Sequence, residues 1–100
     1  MNAHVRITSV AWDDIREGFL WYEKETPGTG TRFWTAVKQC LRDIQRNPEL
    51  GRPSGKRRIR KRKTPVFPYS IYFELVVDEI RVLAVWHGAR DPKELYPRFS

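Results

Sequence analysis

Two alternating segments near the C-terminus constrain the fold most strongly. Residues 69–76 read Tyr-Ser-Ile-Tyr-Phe-Glu-Leu-Val, and residues 80–87 read Ile-Arg-Val-Leu-Ala-Val-Trp-His. Both alternate with a period of two, which predicts β-strands, and the intervening Val77-Asp78-Glu79 predicts a tight turn. The second segment carries apolar residues on both faces, so we expect it to lie inside a sheet. Strict alternation also places Arg81 on the same side of its strand as His87.

Two amphipathic helices precede these strands. Apolar residues recur at helical spacing from Ala11 to Tyr22, after Ser9 as the expected N-cap. The stripe of the second helix, from about Thr31 to Arg46, consists of Phe33, Ala36, Val37, Cys40, Leu41 and Ile44. The short connection at 26–30 predicts an antiparallel helical hairpin.

The remaining segments complete a single two-layer α+β domain over residues 1–100. His4–Thr8 alternates and predicts a short first strand, and the basic run 57–63 predicts a strand with Ile59 as its one apolar residue. The predicted order is therefore β-α-α-β-β-β, with the helical hairpin covering one face of the sheet.

The composition of the chain limits the cellular location and the kinds of ligand that we expect. The chain has a net charge of +7, a pI near 10.0 and a single cysteine, Cys40, which lies on the apolar helix stripe and is expected in the core. There is no signal-peptide pattern and no apolar run of membrane-spanning length, so we expect a cytoplasmic protein without membrane contact. His4 and His87 are too few for a metal site, and no glycine-rich phosphate loop is present, so no metal or cofactor is expected.

The positive charge is concentrated in one stretch. Eight basic residues and no acidic residue lie between positions 52 and 63. This pattern suits phosphates or an acidic protein segment added to a sheet edge, but it also suits a solvated edge strand whose charges discourage aggregation. The candidate contact residues are Arg52, Arg57, Arg58, Arg60, Lys61, Arg62, Arg90 and Trp21.

Four segments resemble the RelE/ParE toxin superfamily in order and spacing. They are Arg32-Phe33, Asn47–Pro53, Phe67–Phe73 and Val82–Pro92. The resemblance implies a small toxin with a largely antiparallel four-stranded sheet, neutralised by a cognate antitoxin that wraps over it. RelE-like members cut messenger RNA in the ribosome, whereas ParE-like members poison DNA gyrase. The long paired helices and the loop at 47–53 look more like the ParE branch.

The alternative is a ribosome-dependent endoribonuclease. Such chemistry needs a proton acceptor, a cation for the phosphate and a proton donor. The candidates are Arg81, His87 and Tyr96, although His87 at a strand end can equally be a residue that bonds to backbone. A third hypothesis is a family member that has lost toxicity and remains a binding module.

Overall fold

The computed structural model describes residues 3–54 and 58–99. The elements are β1 (His4–Ile7), α1 (Ser9–Glu25), α2 (Thr29–Arg46), β2 (Arg52–Pro53), β3 (Arg60–Lys63), β4 (Tyr69–Val76) and β5 (Glu79–His87), with 3-10 segments at Pro48–Leu50 and Pro92–Phe99. The strands form one sheet in the order β1-β5-β4-β3-β2, in which β1 runs parallel to β5 and the other pairs are antiparallel. The predicted α+β class and the interior position of β5 are confirmed.

Thr8, and not Ser9, caps the first helix. Thr8 has an extended backbone (φ −65°, ψ 159°), and its side-chain oxygen accepts from the Ala11 backbone N–H at 3.3 Å. The prediction of Ser9 was wrong because the strand ends one residue earlier than its alternation implied. The following residue is therefore already helical.

The second helix begins two residues earlier than predicted. Gly28 precedes it with φ of +94°, a left-handed conformation that glycine adopts at little cost. The Glu23 carboxylate then accepts from the Gly28 and Gly30 backbone N–H groups at 3.0 to 3.1 Å. The predicted apolar stripe, from Phe33 to Ile44, is buried as expected.

A bulge in β5 divides its side chains between two cores. Tyr72 lies opposite Ala84 whereas Phe73 lies opposite Val82, so Leu83 is an extra residue. Val82 and Val85 consequently belong to the core beneath the helices, and Leu83 and Trp86 belong to a cluster on the other sheet face. The prediction that Arg81 and His87 share a side was therefore wrong, because the extra residue reverses the alternation between them.

The C-terminal segment covers the second face of the sheet. Its apolar residues Leu95 and Phe99 are buried in one cluster with Ile59, which precedes β3, and with residues of β4 and β5: Tyr72, Leu83, Ala84 and Trp86. The segment after Asp91, which the sequence suggests is a short tail, therefore contributes to the core.

The basic strand is shorter than predicted and is not the outermost strand. It begins at Arg60, Arg58 lies in the preceding turn, and the candidate Arg57 falls outside the described residues. Arg52 and Pro53 pair with Lys61 and Arg60 as a two-residue strand, which raises the strand number from the four that the resemblance implied to five. This pairing was missed because a Gly-Arg-Pro sequence reads as loop.

Candidate functional site

A small pocket opens between α1 and the C-terminal end of β5. Its volume is about 140 Å³, and it is lined by Asp14, Glu17, Gly18, Trp21, Tyr69, Val85, His87 and Arg90. The sequence had singled out three of these residues, His87, Arg90 and Trp21, without predicting that they meet.

The His87 ring is held in place by the backbone and by a neighbouring ring. Its Nδ1 atom accepts from the Ala89 backbone N–H at 2.9 Å, and its ring lies 5.0 Å from that of Tyr69. Nδ1 is therefore engaged with the backbone, and Nε2 is the ring nitrogen left to contact a ligand. The backbone-bonding interpretation of His87 is confirmed.

Tyr69 is the perturbed titratable group of this pocket. Burial, and after it the neighbouring Tyr22 and Glu17, raises the pKa of the Tyr69 phenol to about 12, while Arg90 acts in the opposite direction. The phenol, which is protonated at neutral pH in any case, therefore keeps its proton to higher pH than an exposed tyrosine would.

Arg90 and Trp21 both line the pocket, and we call this part of it the rim. The Arg90 guanidinium lies 3.6 Å from the centre of the Trp86 ring and pairs with Glu94 Oε1 at 3.3 Å. Trp21 is 58% exposed, as is its neighbour Leu20. Arginine and tryptophan side chains around one pocket are typical of protein interfaces, where both residue types are enriched.

Asp14 anchors the inner wall, and sequence reasoning missed it. Its carboxylate accepts from the Val85 backbone N–H at 3.0 Å and from both Arg98 Nη atoms at 2.6 and 3.1 Å. Arg98 also donates to the Leu83 carbonyl at 3.2 Å. The available signal was the position of Asp14 within the apolar face of α1, between Ala11 and Gly18.

The three candidate nuclease residues are not brought together. His87 lies on the helix-facing side of β5, whereas Arg81 lies on the opposite side, six residues and roughly 20 Å away along the strand. Arg81 pairs with Glu74 Oε1 at 3.3 Å, and Tyr96 packs near Phe99 with ring centres 6.3 Å apart. The arrangement provides no single point at which all three could reach one phosphate.

The basic residues of β3 point to two different faces. Arg60 and Arg62 lie opposite Phe73 and Ile71, on the helix side. There Arg60 donates to the Gly51 carbonyl at 2.8 Å, and Arg62 lies 3.9 Å from Asp43 Oδ2. These two side chains are thus engaged within the protein.

The other cations of this strand converge on the opposite face. Lys61 and Lys63 lie opposite Tyr72 and Ser70, and Arg52 pairs with Lys61. They line a groove of about 520 Å³ together with Ser70 and with Arg62, although Arg62 is also paired with Asp43. Within the described ranges, Arg52, Lys61 and Lys63 make no salt bridge. We call this surface the basic groove.

Two classes of site have no counterpart in the part of the chain that the structure describes. No cluster of three or more His, Cys, Asp or Glu side chains there could hold a metal ion. None of the helices among these residues is both long and apolar enough to span a bilayer.

Comparison with known proteins relates the whole architecture to toxins. A family model described as the ParE toxin of the type II toxin–antitoxin system parDE matches residues 5–92. The chromosomal ParDE toxin–antitoxin system from P. aeruginosa has a similar structure, with a TM-score of 0.78 and 19% identity over 85% of this chain and 95% of that chain. A mutant of the E. coli toxin RelE in the free state gives a TM-score of 0.68 and 15% identity over 98% of this chain and 94% of the other. No curated protein matches the chain.

Proposed function

The chain belongs to the ParE toxin family and is a type II toxin, and we propose that it disables DNA gyrase by binding, with no chemistry of its own. The match to the ParE family over residues 5–92 carries the proposal, because it includes both helices and the central strands. We also place the protein in the cytoplasm, where gyrase acts.

The geometry of the candidate nuclease residues supports a binding mode. General acid–base cleavage requires its groups within hydrogen-bond reach of one substrate. Arg81 and His87 lie on opposite sheet faces, and the Nδ1 atom of His87 is occupied by a backbone N–H. The alternative, a ribosome-dependent endoribonuclease, would need a substantial rearrangement of β5.

A cognate antitoxin with an acidic segment is the second partner that we propose. Trp21 and Leu20 are each 58% exposed beside the pocket that Arg90 lines, and Trp and Arg are the residue types that most often dominate binding energy. We expect the antitoxin to cover this rim. Trp21→Ala should weaken the complex at least tenfold in isothermal titration calorimetry, whereas Trp12→Ala, at an exposed tryptophan outside the pocket, should change it little.

The target is tested by following DNA and protein synthesis in parallel after induced expression. We expect DNA synthesis to stop first, and the purified protein to inhibit supercoiling by gyrase. Collapse of translation before DNA synthesis would contradict the proposal and favour the endoribonuclease. If neither process falls, the protein is a relative without toxicity.

A double variant distinguishes binding from chemistry. Arg81→Ala with His87→Ala should leave gyrase inhibition within a few-fold of wild type, because neither side chain is required to react. An enzyme that used them would lose orders of magnitude in rate. Circular dichroism of the variant controls for folding, since Arg81 also pairs with Glu74.

A further inference from the structure

We propose that the basic groove binds the phosphate backbone of duplex DNA. The proposal deepens the proposed function and rests on it, because gyrase acts on duplex DNA and a toxin bound to gyrase lies beside that DNA. The groove has no part in the pocket that Trp21 and His87 line.

The charges of the groove are available to a ligand. Arg60 and Arg62 are held by Gly51 and Asp43 on the helix side, whereas Arg52, Lys61 and Lys63 have no carboxylate partner among residues 3–54 and 58–99. The Lys61 ammonium group lies over the Tyr72 ring, 5.9 Å from its centre, and this contact positions the side chain. Three cations are thus presented together without internal neutralisation in a protein of net charge +7.

The chemistry of the lining favours a phosphate backbone over an acidic peptide. Peptides gain most of their affinity from apolar or aromatic anchors in pockets. Among the described residues, the groove is lined by the three available cations, the Asp43-paired Arg62 and Ser70, and by no apolar side chain. Backbone phosphates require only cations and hydroxyl or N–H donors, which the groove supplies.

The spacing of Lys61 and Lys63 also matches the spacing of phosphates along a DNA strand. Lys61 and Lys63 are two residues apart on one strand and project to one face, so their attachment points lie about 7 Å apart. This distance is similar to that between successive phosphates of one DNA strand. Ser70, directly opposite Lys63, adds a hydroxyl at the same level of the sheet.

Binding of a fluorescent duplex of unrelated sequence to the purified toxin provides the test. Three phosphate contacts predict a slope of about −2.7 for log affinity against log salt, so affinity should fall about 40-fold between about 50 and 200 mM salt. Lys61→Gln and Lys63→Gln should each lower affinity about 8-fold at about 0.1 M salt and reduce the slope by about 0.9. Arg52→Gln should act similarly.

Matched variants separate the groove from overall charge. Lys24→Gln and Arg32→Gln remove the same charges from exposed positions on the helices and should lower affinity much less. The proposal is overturned if these controls weaken DNA binding as much as the groove variants do. It is also overturned if wild type does not bind the duplex, or if it binds poly-glutamate of equal charge as tightly as DNA.

Gyrase inhibition, measured with the same proteins, separates this inference from the proposed function. If wild type inhibits gyrase but the groove variants bind DNA normally, the inference fails and the proposed function stands. If wild type does not inhibit gyrase but the groove variants still lose DNA binding, the groove stands and the target is another one.

Discussion

Both carboxylate oxygens of Asp14 accept hydrogen bonds from the guanidinium of Arg98, which lies 84 positions later in the sequence. The two contacts measure 2.6 and 3.1 Å, and the Asp14 side chain is only 6% exposed. The same two side chains satisfy the Val85 N–H and the Leu83 carbonyl. They do so where β5 continues beyond the end of β1, which pairs only as far as Val82. The ion pair therefore joins α1, the bulged strand and the C-terminal segment at one point.

Removing Arg98 should destabilise the protein strongly. Arg98→Ala leaves a buried carboxylate without its cation, and we expect a loss of about 3 kcal/mol in the free energy of unfolding. Urea denaturation measures it. The control is Arg16→Ala, which breaks a pair whose side chains are 71% and 63% exposed and should cost less than about 1 kcal/mol. Equal losses of unfolding free energy in the two variants would show that the Asp14–Arg98 pair does not hold the C-terminal segment in place.

Gly18 is expected to tolerate no side chain. A Cβ atom there would lie 2.7 Å from the ring of Phe33, which is fully buried. Gly18→Ala should therefore cost about 2 kcal/mol from overpacking, despite the better helix propensity of alanine. Thermal denaturation of the variant measures the loss, and Lys24→Ala on the exposed side of α1 is the control. Adding Phe33→Leu should recover part of the stability, and no recovery would point to a different cause.

Substitution of Val77 should stabilise the protein. It is 87% exposed in the turn between β4 and β5, with φ of +57°, a left-handed conformation that is costly for a β-branched residue. Asparagine adopts it more readily, so Val77→Asn should add about 1 kcal/mol and raise the melting temperature by about 5 °C. Val66→Asn, at φ of +68° and 94% exposure, should behave alike. Unchanged melting temperatures in both variants would contradict the strain argument.

Stability should fall steeply at alkaline pH. Burial raises the pKa of Tyr69 from 10.0 to about 12 and that of the Cys40 thiol from 9.0 to about 12. The unfolded chain then loses these protons before the folded chain does. Their stabilising contribution is therefore complete below about pH 9 and is lost as pH rises from 9 towards 12. Urea midpoints from pH 8 to pH 11 measure the decline, and Tyr69→Phe should make it shallower between pH 10 and 11. An unchanged slope in that variant would exclude Tyr69 as a cause.

Local periodicity determined the secondary structure. The stripe from Phe33 to Ile44 and the alternation from Tyr69 to Val76 were sufficient to place α2 and β4, because burying one face requires that spacing in a helix or a strand. Four motifs in order were also sufficient to indicate the toxin family. Trp21 was a candidate because it lies off the apolar face of its helix. The basic run was a candidate because its charge can be counted in the sequence.

Only the tertiary structure decided which of these candidates meet. One extra residue at Leu83 places Arg81 and His87 on opposite faces, and a bulge has no signature in a strand that is apolar on both sides. Strand pairing then divided the basic run: Arg60 and Arg62 are engaged on the helix side, whereas Lys61 and Lys63 have no carboxylate partner among the described residues. Asp14 and Arg98 meet only because the C-terminal segment, which follows all five strands in the sequence, returns to the first helix. Spacing along the chain reports local geometry, whereas register and long-range contacts depend on the packing of the whole domain.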